Sequence, residues 1–309
     1  MSMKIGCAPC CWGVDDVKNP HLPDWKLVLQ EASAAGYKGI ELGPYGYIPL
    51  DVQLVRKELL ARNLSITAGT IFDDLVAEAN LPVLLKQTRE ICALIKQLPQ
   101  LPTEPGQHFA VPYLVVMDWG HTERDFAAGH SDRAPRLNAG QWAAMVSHVR
   151  QIASVAWHEF GVRAVIHPHA GGYIEFADEI DRIMADIPHA VAGLCLDTGH
   201  LVYSGMDPVE WLKRHADRLD YVHFKDIDAL VFQQVLGEHI AFFVACGRGV
   251  MCPIGKGVID YARVRQTLLD IGYNGYITVE QERDPLNVGS SLADVMVSRT
   301  FLQFVGFEY

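Results

Sequence analysis

Val165-Ile166-His167-Pro168-His169, Leu194-Cys195-Leu196-Asp197-Thr198-Gly199-His200 and Tyr221-Val222-His223-Phe224-Lys225-Asp226 are short apolar runs, each ending in side chains that bind metals or move protons. A short apolar run bounded by polar residues reads as a buried strand, and the amphipathic patterns between these runs read as helices. Strand and helix alternating in this way build a parallel sheet covered by helices. In such sheets functional groups gather at the carboxyl ends of the strands, which is where these His, Asp and Lys residues fall. Residues 165–226 therefore predict an enzyme with its site at one end of a barrel.

The same grammar extends to both sides. Upstream, residues 4–7 form strand one and residues 25–35 its helix, ended by Gly36; residues 39–43 form strand two, with a helix over 52–62. Residues 65–69 form strand three, followed by a helical pattern over 78–98 with Pro82 in its first turn. Strand four is 112–117. The polar stretch 118–136 has no period and predicts a long loop over the site or a lid. A helix over 141–160, capped by Gly161, leads to strands five (164–166), six (192–196) and seven (221–224). Beyond strand seven the spacing lengthens: 228–245 reads as an extra helix, 247–257 as a glycine-rich loop and 260–269 as the barrel helix, before strand eight at 276–280 and a closing helix at 293–305. The expected architecture is a single α/β domain, 1–309, a closed (β/α)8 TIM barrel with an extra helix and loop at about 226–258.

Composition agrees with this. The chain has 309 residues, half of them apolar, enough for a large core without staples. Its seven Cys (7, 10, 11, 92, 195, 246 and 252) are an odd number without a repeated CxxC and read as reduced, mostly buried thiols of a cytosolic protein. The adjacent Cys10-Cys11 pair suits packing at a strand end better than a soft metal. A formal charge of −11 and the lack of any Lys/Arg run argue against a nucleic-acid partner. The opening Met1-Ser2-Met3-Lys4-Ile5-Gly6-Cys7-Ala8-Pro9 makes a poor signal peptide, and no apolar stretch is long enough to span a bilayer. The expectation is a soluble, cytoplasmic protein acting on a small molecule. The aromatic end, Phe301, Phe304, Phe307 and Tyr309, offers either a face for a homo-oligomer or a plug for the barrel's own base.

Four strand ends offer hard or borderline ligands: Glu175 in the loop after strand five, Asp197, His223 and Glu280. Three carboxylates and an imidazole suit a divalent ion, Mn²⁺ or Co²⁺ ahead of Mg²⁺ or Zn²⁺. Such an ion can hold a ketone and its neighbouring hydroxyl and stabilise the enediolate formed when the α-proton leaves. Singly, each residue has a plainer reading: Asp197 as a helix cap, His223 as a core residue, Glu280 as a partner of Arg283. Four on successive strands outweigh those readings. His169 is the first candidate for the base, with His167 beside it, and Lys225, His200 or Glu282 for the acid; Lys225 could instead pair with Asp226. Trp12 offers either an apolar wall for a sugar ring or a core plug. Trp12, His167, His200 and Glu282 are thus the expected substrate contacts, and His169, Glu280 and Lys225 the catalytic set. Residues 247–257, with Arg248 and Lys256, lack Walker or dinucleotide spacing and read as a mouth loop covering the substrate.

Taken together, Val165 through His167-Pro168-His169-Ala170-Gly171-Gly172 to Glu175, Leu196-Asp197-Thr198-Gly199-His200 with Tyr203-Ser204-Gly205, Val222-His223-Phe224-Lys225-Asp226, Pro253 to Asp260 and Val279 to Pro285 resemble the xylose-isomerase-like barrels, and within them the inosose (2-keto-myo-inositol) dehydratases. The resemblance runs from strand five to the end of strand eight and is looser at strands one and two. It implies a Glu/Asp/His/Glu metal site, carried here onto Glu175, Asp197, His223 and Glu280. It also implies a metal-dependent lyase that removes an α-proton from a keto-polyol or keto-sugar and expels the β-hydroxyl. The alternative is a ketose isomerase or 3-epimerase; keto-glycoside cleavage, DNA endonuclease activity and a non-catalytic sugar-binding barrel stand behind it. One departure counts against paired-glutamate epimerisation: many epimerases of the superfamily carry a Glu within strand five, where this chain has His167.

Overall fold

Each apolar run becomes a barrel strand in the computed structural model, which describes residues 3–308. The barrel strands are β1 (Met3–Cys7), β2 (Gly39–Glu41), β3 (Ser65–Asp73), β4 (Tyr113–Asp118), β5 (Ala164–Ile166), β6 (Gly193–Asp197), β7 (Leu219–Phe224) and β10 (Gly275–Val279). They close in the order β1-β10-β7-β6-β5-β4-β3-β2, every pair parallel, as the (β/α)8 expectation requires. Two further short strands, β8 (Asp226–Ile227) and β9 (Met251–Cys252), form a separate antiparallel pair at the barrel mouth.

Strand period explains the layers. Successive side chains on a strand point to opposite faces. Leu194 and Leu196, Val222 and Phe224, Ile277 and Val279 join the large core between strands and helices, whereas Cys195, Tyr221 and Tyr276 pack with Ala68, Tyr113, Val115 and Val165 in a second cluster. Tyr113 and Tyr221 meet at 4.9 Å within that cluster. The positions that follow them at intervals of two therefore point into the barrel above this floor.

The helices start on the expected signals. Asp24 accepts from Lys26 N at 2.8 Å to open Trp25–Ala34, and Asn138 with Gln141 forms a capping box opening Ala139–Phe160. Gly161 ends the latter helix at φ 65°, a left-handed conformation that glycine adopts without cost.

Three stretches differ from the expected elements. β3 runs to Asp73 rather than residue 69, because its pairing with β4 continues to Asp73↔Asp118. Residues 118–136 are not a free lid: they contain the short helix Thr122–Asp125, and Arg124, fully buried, donates to Pro135 O and to both oxygens of Glu179. The single extra helix expected at 228–245 is two, Ala229–Gly237 and Phe242–Gly247, broken where His239 turns left-handed at φ 57°. Asp226 does not pair with Lys225. Its carboxylate accepts from the N–H groups of Ile227, Gly255, Gly257 and Ile259 and so fixes the glycine-rich loop. At the C terminus Phe307 is buried against Phe224 at 5.3 Å while Phe304 is exposed; Tyr309 lies outside the described residues. Among the described residues no helix is long and apolar enough to cross a membrane.

Candidate active site

Inward parity places the site. Counting by twos along the strands and just past their ends gives Val165, His167, His169 on β5; Cys195, Asp197 on β6; Tyr221, His223, Lys225 on β7; and Tyr276, Thr278, Glu280, Glu282 on β10. His167, Asp197, His223 and Glu280 are all buried, and each offers a ligand atom within 4.8 Å of the others. Both ring nitrogens of His167 lack a hydrogen-bond partner. His223 Nε2 lies 2.9 Å from Glu41 Oε1 and its Nδ1 3.1 Å from Glu280 Oε2, yet neither contact has hydrogen-bond direction. Buried nitrogens aimed at carboxylates without bonding them fit a divalent ion between them. Two imidazoles and two carboxylates are borderline ligands that suit Zn²⁺, Mn²⁺ or Co²⁺.

Glu175 does not join this group. Its Oε1 accepts from Gly129 N at 2.8 Å and Ser204 Oγ at 3.1 Å, and its Oε2 from Gly171 N at 2.9 Å, with Arg124 Nη2 at 3.4 Å. The turn after His169 carries it away from the barrel axis into this nest, where it ties Gly129, Gly171 and Ser204 together. His167 takes its geometric place. Trp12 also leaves the expected set: the short 3-10 helix Pro9–Trp12 turns it into the core, fully buried, with Nε1 donating to Glu31 Oε2 at 2.6 Å.

Lys225 sits among the carboxylates. Its Nζ lies 2.9 Å from Asp197 Oδ2 and from Glu282 Oε1, and also bonds Glu280 Oε2. Gly199 permits this approach, since a Cβ there would stand 2.4 Å from Lys225 Cβ. Burial works against the ammonium, but Asp197, Glu280 and Glu282 outweigh it and hold the pKa well above the ordinary Lys value. Asp197 Oδ1, meanwhile, caps the next helix by accepting from Gly199 N and His200 N, leaving Oδ2 for the site.

His169, His200 and Glu282 form a second group, each within 4.8 Å of the others. Burial first, then His167 and Lys225, push the His169 pKa down to about 3, so the imidazole is neutral rather than tuned near neutrality as the sequence suggests. Burial pushes Glu282 up to about 7 against the pull of Lys225, and its Oε2 is buried without a partner. His169, Glu280 and Glu282 line an inner cavity of about 40 Å³ together with Cys10, Asp15 and Phe72. An outer cavity of about 570 Å³ opens above it, and Phe243 and Asp15 border both. Phe243 meets Trp119 at 5.6 Å and Phe72 at 6.3 Å, an apolar collar between the two.

Several lining residues escape a reading built on strand motifs. Glu41 could have been found, since it ends β2 as a carboxylate like those on the other strands; it also accepts from Tyr221 OH at 2.8 Å. Phe72 and Phe243 carry no sequence signal that separates them from core aromatics.

A buried cluster of imidazoles and carboxylates at the carboxyl ends of closed-barrel strands defines the class, a (β/α)8 barrel enzyme. More particularly, the chain belongs to the xylose isomerase-like TIM barrel family, whose profile matches residues 29–299. An inosose dehydratase of Geobacillus kaustophilus is 32% identical over 296 residues, which cover 91% of this chain and 88% of the relative. An inosose dehydratase of Geobacillus thermodenitrificans is 30% identical over 287 residues, covering 92% and 91%. Among solved structures, the IolI protein with a bound zinc atom has a TM-score of 0.70 at 14% identity over 98% of each chain. An L-ribulose 3-epimerase has 0.67 at 16% identity, covering 99% of this chain and 94% of that one. The inosose dehydratase relatives bear out an enzyme of the dehydratase, carbon–oxygen lyase kind in a sugar-modifying family, and the two solved structures share its fold.

Proposed function

We propose that the protein is a divalent-metal-dependent dehydratase of a keto-polyol of the inosose type. The observation that carries this reading is one inner cavity lined by His169, whose Nδ1 faces the Ala170 carbonyl, and Glu282, whose Oε2 is buried without a partner, beside the His167/Asp197/His223/Glu280 cluster. An ion held by those four residues would polarise the ketone and offset the negative charge gathering on its oxygen as the neighbouring proton leaves.

The proton steps belong to the chain. His169 Nε2 takes the α-proton, and the C–H electron pair becomes the new C=C bond. The β C–O bond breaks with its electrons on oxygen, Glu282 delivers a proton to that oxygen, and water departs. Lys225 Nζ, 2.9 Å from Glu282 Oε1, stabilises the carboxylate left behind. Proton return from His169 to Glu282 through solvent resets both. Epimerisation would need a second base across the substrate, and β5 presents His167 in the ion cluster rather than a glutamate. The charge of −11 argues against a nucleic acid, and the outer cavity of about 570 Å³ above the inner one has room for a small polyol.

Mass spectrometry of keto-inositols, free ketoses and keto-glycosides incubated with Mn²⁺- or Co²⁺-loaded enzyme in light and heavy water tests the proposal. Loss of one water, absent with Asp197→Ala, supports it. Unchanged mass with solvent deuterium incorporated would move the protein to the epimerases.

A further inference from the structure

Ala170 touches two imidazoles through its own peptide groups. Its carbonyl oxygen lies 2.8 Å from His169 Nδ1, and its N–H donates to His200 Nδ1 at 3.2 Å. A carbonyl oxygen only accepts, so His169 Nδ1 carries a hydrogen and Nε2 the lone pair. A peptide N–H only donates, so His200 Nδ1 carries the lone pair and the neutral ring has its hydrogen on Nε2. The two rings are 4.0 Å apart and both are buried. One residue's backbone thus fixes opposite tautomers on neighbouring histidines.

We propose that His200 is a dedicated hydrogen-bond donor to a substrate oxygen, paired with His169 as the acceptor, and that the Ala170 peptide is the clamp that sets both. His200 Nε2 is buried without a hydrogen-bond partner, and Glu282 Oε1 stands 3.8 Å away. An N–H left unpaired at this depth is costly unless a ligand pairs it. His200 offers a ligand atom within 4.8 Å of those of His169 and Glu282, and both of those residues line the inner cavity. A lone pair next to an N–H matches a hydroxyl beside a second oxygen: the hydroxyl donates to His169 Nε2, and its neighbour accepts from His200 Nε2. What the pair binds rests on the keto-polyol reading; the tautomers do not.

The clamp also decides against a second ion. His169, His200 and Glu282 are close enough to hold one. Coordination through His200 Nε2 would need a lone pair where the Ala170 N–H leaves a hydrogen. The trio is therefore a site for an organic ligand rather than for an ion.

Long-range ¹H–¹⁵N spectra of the ¹⁵N-labelled, Zn²⁺-loaded protein, assigned with His169→Gln and His200→Gln, read the tautomers directly. A hydrogen on Nδ1 of His169 and on Nε2 of His200 is expected, and the reverse at either ring overturns the clamp. Kinetics with Mn²⁺-loaded enzyme and 2-keto-myo-inositol test the donor: Gln at position 200 places an amide N–H near the Nε2 position, whereas Asn reaches only the Nδ1 position. His200→Gln is expected to keep kcat/KM within about tenfold, and His200→Asn to lose about a hundredfold, the worth of one buried hydrogen bond. Equal losses in the two variants would reduce His200 to a structural role. Lack of turnover by the unaltered enzyme would count against the keto-polyol reading, and the spectra would still decide the tautomers.

Discussion

Four donors surround the Glu175 carboxylate, leaving it no lone pair to spare for an ion, while His167 holds two buried nitrogens with nothing to bond. Glu175→Gln is therefore expected to leave Mn²⁺ affinity unchanged and to lower stability by about 1–3 kcal/mol through its broken contacts. His167→Ala is expected to weaken Mn²⁺ binding by at least about a hundredfold, more than loss of an outer-shell partner usually does. Isothermal titration with Mn²⁺ and denaturant unfolding of both variants separate the two roles. Glu282 sets a pH dependence. Its carboxyl is pushed up to about 7 and donates only when protonated, so kcat should hold on the acid side and fall as pH rises through that value. A bound ion favours the carboxylate and moves the fall to lower pH. Glu282→Gln should flatten this limb and slow turnover by roughly 10²–10⁴; an unchanged limb in the pH–rate profile would assign the acid elsewhere.

At the scale of strands and loops, Asp226 does for the mouth what caps do for helices. It gathers four N–H groups from both sides of the Gly255–Gly257 turn, and Gly257 is needed there because a Cβ would stand 2.2 Å from Asp226 Oδ1. Asp226→Ala should cost about 2–3 kcal/mol, seen as a lower thermal midpoint together with faster amide exchange at Gly255, Gly257 and Ile259. Strands were the legible part of this chain. Their apolar runs and their parity carry His167, Asp197, His223 and Glu280 inward whatever the loops do. Glu175 was not legible, because a loop carboxylate after two glycines has no period to say which way it turns; Gly129, Ser204 and Arg124, distant in sequence, decide it. Trp12 failed similarly: a Trp after a strand reads alike as wall or plug until the 3-10 turn is seen. The break at His239 did have a signal, Gly237 two residues earlier, which an unbroken helix over 228–245 passes over.

Across the whole molecule the barrel closes on strand pairing and an aromatic seam. β1 pairs with β10 along five registered positions, Ile5 N and Glu308 O bond at 3.0 Å, and Phe307 seals the seam against Phe224. Within the site Lys225 already neutralises carboxylates that would otherwise repel one another. Lys225→Met should therefore destabilise the chelator-treated protein by about 3–5 kcal/mol, as for any buried pair that loses one partner. Saturating Mn²⁺ should restore part of that loss, because an ion can take over the charge. Thermal unfolding of the variant with and without Mn²⁺ checks this; equal losses in the two states would mean that ammonium and ion do not share the carboxylates.

The tethered ammonium has a consequence outside the test tube. A chain whose acidic cluster carries its own counter-charge can finish folding before any ion arrives, so making the protein and loading it become separate events. If the site takes an ion as proposed, activity would then follow the loading of the barrel and not its folding.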